Sequence, residues 1–295
     1  MLKSFQKAHP ISFNAACFGV AGPLEGGVVK TTNLDWTFSA IDISDFLNIE
    51  QTWLINDLEA IAYGIELLAP SEVLEITPQI TPPHQGNQAV IAPGSGIGEA
   101  ILYWDGSQHR PFATEGGHCS FSPSNALQTE LLKFLFKKFK YVSWEKLLSG
   151  PGLANIYHFM EATYPDKKSP ALADKLRTGD PSLSARITHL ALTTQDDLCL
   201  KTIELFFEIL ANEAGNLALK SLPSGGLFIA GGITPKLLPL LDKEKFSRDF
   251  LHKDGMTELL AKIPIYLVLN DEIGILGAAR YALLQKNNLG RLKRP

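Results

Sequence analysis

A short apolar strand that ends on two polar side chains constrains this chain more than any other feature of it. The segment Trp53–Ile55 is apolar, and Asn56 and Asp57 follow it directly. In the next residues, from Leu58 to Leu68, helical spacing places Leu58, Ile61, Ile65 and Leu68 on one face and so predicts an amphipathic helix. Open α/β proteins bind their ligands where a strand ends and a helix begins. The pattern therefore indicates an α/β fold with a binding site at Asn56 and Asp57.

Asp57 has two interpretations at this position. A carboxylate at a strand end can accept the proton of a substrate hydroxyl, which is the task of the base in phosphoryl transfer to an alcohol. Asp is also a favoured helix N-cap, and helix starts are far more numerous than catalytic bases. On this segment alone, capping is the better supported of the two.

Composition limits the class of protein and its partners. The chain has 295 residues, of which 45% are hydrophobic and 20% charged, so it is long enough for two domains with their own cores. A net charge of −4 gives no general attraction to nucleic acid. No apolar run approaches the roughly 18 residues that cross a membrane. We therefore expect a cytoplasmic protein with no nucleic-acid or membrane partner.

The cysteines and the amino terminus support the same compartment. Cys17, Cys119 and Cys199 are far apart and odd in number, which predicts neither a disulfide framework nor a zinc site. The first residues imitate a signal peptide only loosely, because Pro10 and Asn14 interrupt the apolar stretch. A buried strand over 15–20 is the better interpretation.

Two glycine-rich turns each follow an apolar strand. Such turns let a ligand approach bare backbone and can direct N–H groups at a phosphate. The first is not a dinucleotide fingerprint, because Glu99 occupies the last glycine position, and it is not a P-loop, because no Gly-Lys-Ser/Thr follows. A tight β-hairpin is the equally weighted alternative for it. The turn residues are Gly94, Ser95, Gly96 and Gly98 after the strand 88–92, and Gly231 and Gly232 after the strand 227–230.

Three further polar residues are candidates for a small polar ligand. Glu115 and His118 flank two glycines, so one turn could direct both side chains at the same molecule; a hairpin with an exposed Glu and a packed His is the alternative. Metal binding is not favoured, because only the adjacent Cys119 lies at ligand spacing. By pattern alone, Glu145 is a solvated helix residue.

The remaining pattern alternates strands and helices. A Pro-rich connection over 77–83 leads into strands at 88–92 and 100–104. A helical pattern over 125–156 is interrupted at 149–152, and a long helix is predicted over 196–222. A strand at 265–269 and a helix at 275–285 follow.

Five motifs occur in the order found in bacterial glucokinases, the ATP-dependent hexose kinases of the actin-like (ribonuclease H-like) ATPase superfamily. The resemblance runs from about Ala15, through 21–23 and 32–36, to the turn at 274–277. Several motifs in series are far more specific than any one of them. They are Ile55–Asp57, Pro93–Gly98, Glu115–His118, Leu148–Leu153 and Phe228–Ile233.

The resemblance implies a two-lobed actin-like ATPase fold with an interlobe cleft. It implies a small lobe made of residues 1–67 and 270–295, and a large lobe made of residues 68–269. The implied reaction is transfer of the ATP γ-phosphoryl group to the 6-hydroxyl of glucose, with Mg²⁺ as cofactor. Glucose and ATP are then the small-molecule partners. A homodimer is compatible with the sequence, which does not determine the oligomeric state.

The resemblance also implies a role for each matched residue. Asp57 is the implied base, with Asn56 beside it on sugar hydroxyls. Glu115, His118 and Glu145 are further implied sugar ligands. The loop with Gly94, Ser95, Gly96 and Gly98 is similar to the family's phosphate loop, and Gly231 and Gly232 to its adenosine motif. A ring of carboxylate and amide groups suits a hexose, because a wrong sugar leaves such groups unpaired.

One departure concerns the amino terminus. The family begins with a strand ending in Asp-x-Gly-Gly-Thr, which holds the β- and γ-phosphates and helps to position Mg²⁺, and this chain lacks that motif. Residues 1–6 resemble the end of a later helix. We therefore expect about forty residues, the size of a three-stranded meander with part of a helix, to be missing from the small lobe.

Two alternatives to a working kinase follow. A chain without that segment could be a catalytically inactive, sugar-binding remnant of a glucokinase. A sugar-responsive transcription regulator would need a helix-turn-helix and a basic face, and the sequence offers neither. The absence of a Cys-rich zinc motif also argues against the related sugar kinase and repressor group.

Overall fold

The computed structural model describes residues 2–9, 12–22, 24–30, 37–77, 85–173, 180 and 182–292. The motif at 32–36 and most of the Pro-rich connection at 77–83 lie outside them. Two compact units are present: unit 1 comprises Met1–Glu72, Pro111–Ala113 and Asn270–Pro295, and unit 2 comprises Val73–Arg110 and Thr114–Leu269. Each is described separately below.

In the described part of the chain, the helices are α1 Leu2–Ala8, α2 Ala40–Leu47, α3 Asp57–Gly64, α4 Ala126–Phe136, α5 Gly150–Thr163, α6 Leu183–Thr193, α7 Asp197–Ser221, α8 Thr234–Leu237, α9 Lys243–Leu251, α10 Thr257–Leu260 and α11 Ile273–Leu292. The strands are β1 Ala15–Val20, β2 Leu24–Glu25, β3 Val28–Lys30, β4 Thr37–Ser39, β5 Gln51–Asn56, β6 Val73–Glu75, β7 Gln88–Pro93, β8 Ile97–Trp104, β9 His109–Thr114, β10 Leu227–Ile229 and β11 Ile265–Val268.

Unit 1 is built around the strand that carries Asn56. β1 and β5 pair in parallel, and Val20 is the register partner of Asn56. β2, β3 and β4 form a separate antiparallel sheet. The predicted strand at 15–20 is confirmed with the same bounds. Parallel pairing puts the carboxyl ends of β1 and β5 at one edge, which is the edge where α3 begins.

The helix after Asp57 is shorter than predicted, and its most buried positions are small residues. α3 ends at Gly64, and a 3₁₀ turn covers Ile65–Leu67. The predicted apolar face is confirmed in part, because Ile65 is buried and Leu58, Ile61 and Leu68 are half-buried. The buried positions within α3 itself are Ala60, Ala62 and Gly64.

Close packing of α3 against α11 explains the difference. A Cβ on Gly277 would overlap the Ala60 carbonyl oxygen, and a Cβ on Gly64 would overlap the Ile273 carbonyl. Only small residues allow two helix backbones to approach this closely, so the buried face of α3 is small rather than large. Arg280 also reaches across, donating from Nη1 to the Tyr63 carbonyl at 3.1 Å and pairing with Glu66.

Unit 2 contains a six-stranded sheet in the order β6-β11-β10-β7-β8-β9. β7, β10 and β11 run parallel to one another, and β8 is antiparallel to β7. The long helix predicted at 196–222 is α7, and most of it is buried in the large core of this unit. The strands predicted at 88–92, 100–104, 227–230 and 265–269 are confirmed to within a few residues.

The predicted interruption at 149–152 is the start of a helix instead. Ser149 is the N-cap of α5, and its Oγ accepts a hydrogen bond from the Gly152 N–H at 3.0 Å. Pro151 sits in the first turn, where its missing N–H costs no hydrogen bond. Gly and Pro here mark a helix beginning, not a break.

No helix in the described ranges is both long enough and apolar enough to pass through a lipid bilayer. Cys17, Cys119 and Cys199 are free thiols.

Candidate active site

Asn56, and not Asp57, caps α3. The Asn56 Oδ1 accepts from the backbone N–H groups of Leu58 at 2.9 Å and Glu59 at 3.4 Å. Asp57 is the first residue of the helix, and its Oδ1 accepts from the Leu58 N–H at 3.0 Å. The capping alternative for Asp57 is therefore wrong. Its carboxylate still lies at a helix N-terminus, where the helix dipole stabilises a negative charge.

The backbone beneath Asp57 is closely packed. A Cβ on Gly19 of β1 would lie 3.1 Å from the Ala60 Cβ and 3.6 Å from the Asp57 Cα. Burial raises the pKa of the neighbouring Glu59. Burial and the nearby Glu59 also raise the pKa of the Cys17 thiol to about 12, so that this sulfur stays protonated. Asp57 thus projects from a rigid junction of β1, β5 and α3.

In unit 2, the first glycine-rich turn is a β-hairpin. β7 and β8 pair up to Pro93 and Ile97, and the residues between them close the turn. Within it the Gly94 N–H donates to the Gly96 carbonyl at 2.7 Å, and the Gly94 carbonyl accepts from the Gly150 N–H at 2.9 Å. The hairpin alternative is the geometry found, and it ties the turn to the start of α5.

A 3₁₀ turn, Gly116–His118, follows β9. Glu115 directly precedes this turn and His118 is its last residue. The His118 Nδ1 lies 3.5 Å from a Glu115 carboxylate oxygen, and the two side chains are 63% and 71% exposed. The alternative with a packed His is therefore wrong. The Tyr141 hydroxyl donates to the His118 carbonyl at 2.9 Å. A Cβ on Gly117 would overlap the Ile97 carbonyl, so the turn lies against the start of β8.

Glu145 lies on a second 3₁₀ turn, Trp144–Lys146, and is half-buried. The preceding Trp144 donates its N–H to the Cys119 carbonyl at 3.1 Å, which joins this turn to the one carrying His118. The Glu145 Oε2 lies 2.6 Å from the Cβ position of Gly96. The expectation of a solvated helix residue is wrong: this carboxylate packs against the β7–β8 hairpin.

The second glycine turn lies beside the same hairpin. Gly231 has a φ of +84°, and a Cβ there would overlap the Pro93 carbonyl. Gly232, in contrast, has no atom within 4 Å of its Cβ position. Ile233 donates its N–H to the Pro93 carbonyl at 3.4 Å. Bare backbone at Gly232 therefore borders open space, which suits a flat group such as a nucleotide base or ribose.

Unit 2 thus gathers candidate residues that are far apart in sequence around the β7–β8 hairpin. These are Gly94, Ser95, Gly96, Gly98, Glu115, His118, Glu145, Gly231 and Gly232. Two carboxyl groups in this unit, Glu99 and Glu213, are buried, and Glu99 lies against the Glu115–His118 turn at Gly116. A charged residue inside the apolar pattern of β8 is the signal that could have found Glu99.

Comparison with solved structures defines the class of protein. The chain is similar to the crystal structure of a glucokinase from an Antarctic psychrotroph, with a TM-score of 0.80 and 33% identity over 96% of this chain and 84% of that one. A more distant likeness, with a TM-score of 0.61, 19% identity and coverage of 96% and 87%, is to a ROK family glucokinase from Streptomyces griseus in complex with glucose and AMPPNP. The fold is that of the sugar kinases with the actin-like ATPase architecture, as the sequence predicted.

Sequence comparison gives the family. The glucokinase family model matches residues 1–285. The chain is also 38% identical to a glucokinase of Synechocystis sp. over an alignment of 288 residues that covers 94% of this chain and 81% of that protein. This chain belongs to the glucokinase family.

Proposed function

We propose that the chain transfers the γ-phosphoryl group of ATP to the 6-hydroxyl of glucose, giving glucose 6-phosphate and ADP. Family membership supports the reaction, and the solved ROK family relative contains glucose and an ATP analogue. The observation that carries the proposal is the position of Glu145, which contacts the Gly94–Gly98 hairpin and follows Trp144, whose N–H bonds to Cys119 just after the Glu115–His118 turn. Side chains suited to bind sugar hydroxyls and backbone suited to bind phosphate therefore lie close together in unit 2.

Glu115, His118 and Glu145 are the proposed hydroxyl partners of glucose. Carboxylate oxygens accept hydrogen bonds from hydroxyl groups, and charge-assisted bonds of this kind are the stronger ones. Their backbone positions are set by hydrogen bonds to neighbouring turns, so little ordering is needed when the sugar binds. Asn56 contributes through its Nδ2, because its Oδ1 already caps α3.

Asp57 is the proposed base. Its carboxylate takes the proton of the 6-hydroxyl while that oxygen forms a bond to the γ-phosphorus. The bond from the γ-phosphorus to the bridging oxygen breaks, and ADP leaves with that electron pair; the proton later passes from Asp57 to solvent. The short carboxylate of a strand-end Asp is well held for this task, since its backbone is fixed by β5 and by α3.

The backbone around the hairpin and Gly232 is the proposed ATP site. The Gly94 N–H is used within the turn, so Ser95 and Gly96 are the proposed N–H donors to a phosphate. Gly232 leaves room for the adenosine part. Mg²⁺ would arrive with the phosphates of ATP, whose charge it neutralises. No cluster of three or more potential His, Cys, Asp or Glu metal ligands occurs in the described part of the chain.

A coupled assay of ADP release with glucose and MgATP tests the proposal. Glucose-dependent ADP release is expected, together with formation of glucose 6-phosphate. Tight glucose binding without turnover would instead support the inactive, sugar-binding remnant. Glucose-independent ADP release would contradict transfer to the sugar.

A further inference from the structure

Two carboxyl groups in the interior of unit 2 are not used by the proposed reaction. Glu99 on β8 is 2% exposed, and Glu213 on α7 is fully buried. The Oε1 atoms of both side chains are buried without a hydrogen-bond partner in the described part of the chain. Asn216 Nδ2 donates to the Glu213 Oε2 at 2.8 Å. Burial raises the pKa of both groups, and the charge of Glu213 further raises the pKa of Glu99, so the two are not both ionised at neutral pH.

Glu99 lies directly behind the turn that carries Glu115 and His118. A Cβ on Gly116 would overlap the Glu99 Oε2, so the carboxyl group contacts the turn backbone. Thr114 completes the connection: its Oγ1 donates to the Glu99 carbonyl at 3.1 Å and accepts from the Gly116 N–H at 3.1 Å. The shape of the turn therefore depends on where the Glu99 side chain sits.

We propose that Glu99 is a positioning residue for glucose binding: its buried carboxyl group packs against the Gly116 backbone and holds the Glu115–His118 turn in place. This inference rests on the proposed function, because that function assigns the turn to glucose. Glu99 itself does not touch the sugar.

Two lysines lie near the buried carboxyl groups. Lys220, on α7, lies 3.5 Å from the Glu213 Oε1, and its side chain is more than half exposed. The Lys253 ammonium donates to Asn212 and Asn216, so its hydrogen bonds go to amide groups near the pair. The turn that Glu99 contacts carries two further titratable side chains, Glu115 and His118.

Burial raises the pKa of both carboxyl groups more than the lysine charge lowers it. Burial and the neighbouring Glu213 raise the pKa of Glu99 to about 8. Ionisation of Glu99 would bring a second negative charge close to Glu213 beneath the turn. The turn would then shift, and its sugar-binding side chains would shift with it.

Calorimetric titration with glucose, at about pH 7 and about pH 9, tests this proposal. Glucose affinity of the wild-type protein should weaken by up to about tenfold for each pH unit above the pKa of Glu99, because one proton is linked to the binding-competent turn. In Glu99→Gln, the introduced amide stays neutral at every pH. This variant should bind glucose nearly as well as wild type at about pH 7 and show a much smaller loss at high pH.

Two further variants make the result specific. Glu213→Gln removes the other charge and should flatten the pH dependence in the same way, so it also serves if Glu99→Gln does not fold. Glu208→Gln changes another carboxylate of α7, one that accepts hydrogen bonds from Asn125, Gln128 and Lys245. It should keep the wild-type pH dependence.

The outcomes separate the inference from the proposed function. An unchanged pH dependence in both Glu99→Gln and Glu213→Gln would overturn the positioning role. Wild-type protein that binds glucose with the predicted pH dependence but never turns over ATP would overturn the kinase proposal and support the positioning role. A folded wild-type protein that binds no glucose would contradict both.

Discussion

Glu145 Oε2 lies 2.6 Å from the Cβ position of Gly96, so the proposed sugar carboxylate and the proposed phosphate loop are in contact. The close atom is the end of a flexible side chain, and a small shift of Glu145 could accommodate a methyl group. A substitution that displaces Glu145 or enlarges Gly96 is therefore expected to affect both the sugar subsite and the phosphate subsite.

Gly96→Ala should weaken glucose binding more than ATP binding. The added methyl displaces the Glu145 carboxylate, and the loss of about one hydrogen bond, about 1.4 kcal/mol, corresponds to a roughly tenfold higher KM for glucose. The matched control is Gly94→Ala in the same turn. No atom lies closer than 3.9 Å to the Gly94 Cβ position, so this control should leave the KM for glucose unchanged. Equal effects of both variants on glucose would contradict the contact.

Asp57→Asn should bind glucose and fail to turn it over. The amide cannot accept the hydroxyl proton, and loss of a general base lowers kcat by about 10²–10⁴-fold. Glucose binding by calorimetry and ADP release by the coupled assay measure the two effects separately. Unchanged turnover would remove Asp57 from the role of base.

Asn56→Ala is the matched control for Asp57→Asn on stability. It removes the side-chain cap of α3 and should lower the free energy of unfolding by about 1 kcal/mol. Asp57→Asn retains the cap and should cost much less. Thermal unfolding of both variants under the same conditions compares their free energies of unfolding. A larger loss for Asn56→Ala than for Asp57→Asn would show that Asn56 contributes the cap and that Asp57 is not needed for stability.

Gly231→Ala and Gly232→Ala should have different effects although the residues are adjacent. Gly231 has a φ of +84°, and its Cβ position overlaps the Pro93 carbonyl, so the first substitution should destabilise the protein by about 2 kcal/mol. The second adds a methyl in open space and should leave the melting temperature unchanged while raising the KM for ATP. A Gly232→Ala protein with normal ATP kinetics would place the adenosine part elsewhere.

Stability should fall as pH rises from about 5 to about 8. The pKa of Glu99 is raised by burial from 4.5 to about 8, so its contribution is fully present below 4.5 and is lost as pH rises through about 8. The loss is at most about 1.4 kcal/mol per pH unit for one proton. In Glu99→Gln the free energy of unfolding should depend less on pH in this window. Denaturant titrations at several pH values measure the difference.

The strand-end motifs were predictable because each depends on local pattern. Apolar runs followed by Gly or Asn-Asp mark the ends of β5, β7 and β10. The roles of those residues came from a family resemblance and stay predictions until kinetics test them.

Features set by distant partners were not predictable from local pattern. The most buried positions of α3, Ala60 and Gly64, are determined by α11, near the other end of the chain, and apolar spacing does not report how closely a neighbouring helix approaches. Glu99 likewise acquires its environment from Glu213 on a helix far along the sequence.

The packing of α3 against α11 has a consequence for biosynthesis. Asp57 is made early, but the helix that packs against Ala60 and Gly64 is made only after the whole of unit 2 has been synthesised. Unit 2 is almost continuous in sequence and can fold first, whereas β1, β5 and α3 are completed only when α11 is available. A released chain that ends before α11 would therefore carry a folded unit 2 and an incomplete strand–helix junction at the proposed base.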